Sequence, residues 1–322
     1  MSDETVTAYL DHLISRNRPG TARSVGPILR QYVAILASRG RTPLTASRAD
    51  CAAYRTFLAG PQAALSGGSL SLPTQGTRIA AIKGFHRFLL RRGLVLHDAA
   101  VFLELPADVR RRVRADGLDQ QEAQALLETA AAQVAAANVG TRSWALHLRN
   151  LALVGLALAT GRRRAGLLGL NLDDLDEDRD EIRVAWEKGR PGRVLPVAAW
   201  AMGLVGAYRD RAREVLAAGR TSSALFLGER SERLGPTAMA KVLTALHAAT
   251  CAANPDLTAL PRKGLSSHSL RVTFACTLFA NGCPIRSVNE LLLHRKLATT
   301  ARYTPIPLEE LARVLRAAHP RG

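Results

Sequence analysis

The sequence predicts a mainly α-helical protein with one small β-sheet, divided into two domains. Three observations carry that expectation. Apolar residues recur at three- and four-residue spacings over most of the chain, one short stretch alternates as a hairpin does, and a polar, arginine-rich segment separates two helical halves. A chain of 322 residues is long enough for each half to bury its own core.

The first domain is expected over residues 1–105. Tyr32, Val33 and Leu36, then Ile79, Ile82, Phe85, Phe88 and Leu89, trace apolar helical stripes. RPG at 18–20, GRTP at 40–43 and the Gly/Ser-rich SGGSLSLPTQG at 66–76 read as the breaks between short helices. Residues 106–117, containing ADVRRRVRADG, lack apolar periodicity and read as the interdomain linker, its arginines solvated or set against phosphates. The second domain, 118–322, opens at Leu118, with Asp119 and Glu122 placed to favour a helix N-terminus. The stretch Leu146–Ala159 is apolar on most sides, as a helix central to a core would be.

Then the texture changes. IRVAW alternates over 182–186, KGRPG supplies turn residues and RVLPV resumes, which predicts a β-hairpin. The acidic run DDLDEDRDE before it invites a calcium-loop reading, which the spacing refuses. Counting from Asp174 puts Arg179 at the position that must be glycine and Ala185 at the twelfth; counting from Asp176 puts Glu181 at the glycine position. Solvated turns flanking a short strand account for it. Beyond the hairpin the chain returns to helices, with ERSERLGP and NPDLTALPRKGLSS as loops, and Leu308, Leu311, Val314 and Leu315 mark a final amphipathic helix over 308–318.

Lysine and arginine total 44 against 27 acidic residues, a net charge of +17, and residues 1–115 hold 17 basic and 7 acidic side chains. That imbalance points to a polyanionic partner, and a basic helical module suits one that wraps double-stranded DNA. Cys51, Cys251, Cys276 and Cys283 show no paired spacing, so no zinc site is expected, and reduced thiols fit a cytoplasmic protein. The longest apolar run, LALVGLALA, has nine residues, half the roughly 18 a bilayer span needs, and MSDETVTAYL has no signal-peptide core. No membrane role is expected.

Four places in the second domain offer groups suited to a phosphate. ATGRRRAGLLGL places three arginines after the apolar helix. WEKGRPGR sets Lys188 at a hairpin tip. SSHSLRVTFACTLFANG puts His268 and Arg271 on one helical face, capped by Ser266 or Ser267 and ended by Gly282. LLLHRKLATTARYTPI holds His294 and Tyr303. Each alone is a weak signal; the order Arg163, Lys188, His268, Arg271, His294, Tyr303 together is specific.

With those residues in hand, the sequence resembles the tyrosine recombinase (phage integrase) family over nearly its whole length. TGRRRAGLLGL is similar to the TG-x-R-x-x-E-L-x-x-L box and sets its arginine on Arg163, seven before Leu170, leaving Arg162 and Arg164 solvated or on phosphates. EKGRPGRVLPV resembles the strand pair carrying the catalytic lysine, HSLRVTFACTLFANG the H-x-x-R box, and LLLHRKLATTARYT the box holding the histidine and the nucleophilic tyrosine. GTRIAAIKGFHRFLLRRGLVLHDAAVFLELP resembles the end of the helical core-binding domain. Gly166, Val272 and Leu293 depart from the family's usual glutamate, histidine and glycine, flanking the six positions without removing any.

The resemblance implies a helical, SAM-like core-binding domain and a mixed α/β catalytic domain in an Xer-like, two-domain site-specific recombinase. Tyr303 is then the nucleophile, Arg163 and Arg271 fork the phosphate, Lys188 protonates the departing 5′ oxygen, His268 helps deprotonate the phenol and His294 hydrogen-bonds the phosphate. No cofactor or metal is implied. The family works as a homotetramer on paired DNA sites, in some cases with a paralogous recombinase, and passes its C-terminal helix, here 308–318, to a neighbour. Two rivals share the architecture: a DNA-binding regulator without catalysis, against which the complete set of six speaks, and a type IB topoisomerase acting as a monomer. The H-x-x-R box, the basic first domain and the terminal helix favour the recombinase.

Overall fold

The computed structural model describes residues 2–63, 69–106, 117–184 and 192–293. The chain divides into two compact units, 1–113 and 114–322.

In the first unit, α1 (Ser2–Ser15), α2 (Pro19–Ser38), α3 (Arg48–Ala59) and α4 (Leu72–Arg91) surround a core of Leu29, Tyr32, Leu36, Tyr54, Leu58, Ile79, Ile82, Phe85 and Leu89. The expected stripes are the buried faces. The break expected over 66–76 ends earlier, because Pro73 and its neighbours belong to the first turn of α4. Proline lacks the N–H that a first turn cannot use, so a loop-like composition there starts a helix. Ser47 and Asp50 close a capping box on α3. Hydrogen bonds from Ser47, reinforced by Arg39, hold the Asp50 carboxyl down at about 2.

The second unit is built on α6 (Arg142–Thr160), whose residues 151–157 are buried without interruption. It is flanked by α5 (Gln120–Ala136), where Asp119 and Glu122 form the capping box that their spacing suggests. The short α7 (Arg164–Leu168) follows, then an antiparallel sheet of β1 (Leu175–Asp176), β2 (Glu181–Val184) and β3 (Arg193–Pro196) in that order. Ile182 pairs with Leu195 and Leu175 with Ile182, so one face of this small sheet joins the core while Val194 points outward. The acidic run therefore carries the first strand itself as well as its turns. Helices α8 (Ala199–Arg211), α9 (Arg213–Ala217), α10 (Pro236–Ala253), α11 (Ser267–Ala280) and α12 (Ile285–Leu291) follow among the described residues. Among the described residues no helix is long and apolar enough to cross a membrane, and no three His, Cys, Asp or Glu side chains cluster to hold a metal.

Candidate active site

The apolar helix α6 ends at Gly161, whose left-handed φ of +56° turns the chain and whose N–H bonds to the Ala157 carbonyl. Only glycine fits. A Cβ there would stand 2.4 Å from Phe274 Cδ1 and 2.8 Å from Leu292 Cδ2, because α11 and the end of α12 close over the turn.

From that turn the chain runs extended through Arg163, the residue that caps α7. Successive side chains of an extended chain leave on opposite sides. Arg163 is half-exposed and Arg164 exposed, whereas Arg162 is only 2% exposed, so the expectation of a solvated or phosphate-contacting Arg162 is corrected: it takes the interior side of the turn.

Ser266 is the cap of α11, its hydroxyl accepting the Ser269 N–H at 3.1 Å while the Ser269 hydroxyl accepts the Ser266 N–H at 2.7 Å. This fixes the first turn, from which His268 projects to solvent, and Gly282 with φ +77° follows the other end. Arg271, one turn on, is 3% exposed. Its two terminal nitrogens donate to the Gly161 carbonyl at 2.6 Å and to the Leu292 carbonyl at 2.5 Å. One planar guanidinium thus ties the ends of α6 and α12 to the middle of α11.

Partial burial lowers the pKa of the His268 imidazole below 6.5, and the positive charges of Arg271 and Arg163 add to the effect. Residues 108 positions apart in sequence therefore share one electrostatic environment. The expected consequence is a His268 resonance in the free protein that titrates below pH 6.5 and moves up in Arg163→Gln, which removes one of the charges. An unmoved or lowered midpoint in that variant, read by NMR, would contradict the assignment.

The three departures from the family pattern acquire places. Leu293 has φ +50°, the conformation in which glycine carries no side-chain penalty, and its buried side chain joins the unit's core, offsetting strain of about 1 kcal/mol or more. Val272 is buried beside Gly117, away from solvent. Gly166 lies in the single turn and a half of α7. Arg193 on β3 also pairs with Glu290 of α12 at 2.5 Å, joining the strand after the lysine hairpin to the helix before the tyrosine segment.

The structure brings Arg163, His268 and Arg271 together. Lys188, His294, Tyr303 and the terminal helix 308–318 lie outside the described residues. The Gly161 and Leu292 carbonyls that receive Arg271 were not readable from side-chain motifs; the TG dipeptide was the one available hint.

Arg163 and Arg271 thus place two guanidinium charges beside the His268 imidazole and lower its pKa. The fold defines the class: the chain superposes on a Tn1549 transposon integrase in complex with transposon right end DNA with a TM-score of 0.69 at 15% identity, covering 98% of this chain and 99% of that one, and so has the tyrosine recombinase fold. In sequence, residues 117–308 match the model of the phage integrase family. The chain is 30% identical to tyrosine recombinase XerC of Pelobacter propionicus over 99% of its length and 96% of the relative's. It is 32% identical to tyrosine recombinase XerD of Mycobacterium tuberculosis, covering 98% and 96%. The chain belongs to the phage integrase family.

Proposed function

We propose that this protein is a site-specific DNA recombinase that cuts and rejoins double-stranded DNA through Tyr303. The Tyr303 oxygen attacks a backbone phosphorus, forming a 3′-phosphotyrosyl bond as the bond to the 5′ oxygen breaks. A phenol with a pKa of about 10 attacks slowly without a base. His268, whose pKa the nearby arginines help to lower, takes that proton, and Lys188 gives one to the departing 5′ oxygen. Arg163 and Arg271 hold the non-bridging oxygens through the five-coordinate transition state, with His294 as a further donor. Because the phosphoester bond is exchanged and not hydrolysed, a 5′ hydroxyl of a second duplex reverses the step without ATP, and two such rounds pass through a Holliday junction.

The first domain, residues 1–105, grips DNA through its basic surface and the linker 106–117 leads to the catalytic domain, 118–322. Four copies assemble on two sites, each lending its 308–318 helix to a neighbour, in the cytoplasm. The observation that carries this reading is the convergence of Arg163, His268 and Arg271 on the Gly161 turn in a member of this family. A suicide substrate, nicked so that the cleaved end diffuses away, is expected to trap the wild type covalently. Tyr303→Phe should bind the same DNA and trap none; a covalent adduct formed by that variant would remove Tyr303 as the nucleophile.

A further inference from the structure

Thr273 stands two residues beyond Arg271 on α11 and has no part in the steps above. Its side chain is 2% exposed, and both hydrogen-bonding capacities of its hydroxyl are used. It donates to the Ser269 carbonyl at 2.9 Å and accepts the backbone N–H of Leu118 at 2.8 Å. Bonding back to the carbonyl four residues earlier is an ordinary habit of helical threonine. Accepting from a residue 155 positions earlier is not a local effect.

Leu118 lies just before the Asp119 cap of α5, and the residue before it is pressed onto α11. A Cβ on Gly117 would meet the Thr273 backbone nitrogen at 2.9 Å and Val272 Cγ1 at 3.1 Å. A second tie lies nearby. The buried Glu122 carboxylate accepts the Lys263 ammonium at 2.6 Å and the Asp119 N–H at 2.8 Å, and Lys263 sits five residues before His268. The entry into α5 and its first turn therefore hold α11 both at its second turn and through the loop that leads into it.

We propose that Thr273 is a positioning residue for the DNA cleavage reaction, its hydroxyl clamping α11 to the Leu118 N–H so that His268 and Arg271 keep their aim. The inference rests on the recombinase reading. The magnitudes support it: side chains lie about 5–6 Å from a helix axis, so a rotation of roughly 10° displaces them by about 1 Å. A displacement of that size at reacting groups costs on the order of a hundredfold in rate. A hydrogen bond weakens steeply as it bends, so a directional bond at the side of a helix adds to packing in fixing its rotation.

Thr273→Val keeps the branched shape and removes the acceptor. In the full-length protein on the nicked suicide substrate, its covalent trapping rate at saturating DNA is expected to fall about tenfold to a hundredfold. DNA affinity should stay within about twofold of the wild type, while the His268 ring resonances of the free protein shift. Thr273→Ser, which keeps the hydroxyl, should restore both rate and resonances. Thr273→Val trapping at the wild-type rate overturns the proposal. So does equal impairment of the serine variant, which would report lost methyl packing. Should Thr273→Val fail to unfold cooperatively, Glu122→Gln tests the same clamp from its other side, and unshifted His268 resonances there also overturn it. A wild type that traps nothing would sink the recombinase reading itself, while the His268 resonances of the free protein would still decide whether Thr273 orients that ring.

Discussion

Arg271→Ala is expected to abolish measurable strand cleavage and to destabilise the second unit at the same time. The side chain is 3% exposed and bridges the Gly161 and Leu292 carbonyls, so its removal leaves two buried acceptors without their donor. Bonds from a charged donor are each worth roughly 1.5–3 kcal/mol, and a total near 3–6 kcal/mol follows for the two. On the reaction, loss of one donor to a developing oxyanion costs about a hundredfold to a thousandfold, and the slackened ends of α6 and α12 add to it. Arg271→Lys separates the two effects. A single ammonium keeps the charge yet cannot reproduce a planar fork spanning two carbonyls, so stability should return in part while covalent trapping stays near the alanine level. Thermal melts and trapping on a suicide substrate measure the pair. A lysine variant with wild-type trapping would show that geometry at this position is unimportant.

Gly161→Ala should be the most damaging methyl group that can be added near the site. Its φ of +56° imposes a penalty of about 1 kcal/mol on any residue with a Cβ. The new carbon would also meet Phe274 at 2.4 Å and Leu292 at 2.8 Å, and overpacking of this kind costs typically 1–3 kcal/mol. The expected loss is about 2–4 kcal/mol, with slower trapping because the carbonyl that receives Arg271 moves with the turn. A double-mutant cycle tests the cause. In a Phe274→Ala background the clash is relieved but the backbone conformation is not, so the same substitution should cost less by about 1 kcal/mol or more. Equal cost in both backgrounds would rule out the Phe274 clash and leave backbone conformation and the Leu292 contact as the causes.

Both predictions depend on features unequally visible in the sequence. The capping boxes of Ser47 with Asp50, Asp119 with Glu122 and Ser266 with Ser269 involve partners three residues apart, so local chemistry writes them directly into the chain. The stretch 146–159, apolar on most sides, similarly announced a helix central to the core. Pro73 misled, because proline in a loop and proline in a first helical turn look alike until the following helix is seen.

The described helices, the paired strands and the basic surplus for a polyanionic partner are legible in the letters alone, as is the order of the six residues proposed to act on a phosphate. Periodicity, capping and charge act over a few residues or over the whole composition, and both scales are legible in one dimension. Only the tertiary structure decided which arginine of the run at 162–164 turns inward, that Arg271 is anchored by Gly161 and Leu292, that Leu293 occupies a left-handed position, and that Thr273 is held by Leu118. In the anchoring bonds one partner is a backbone group of a residue far along the chain. Every residue carries a carbonyl and nearly every one an N–H, so nothing in the letters of a sequence marks which of them a distant side chain will find; packing of α5, α6, α11 and α12 makes that choice.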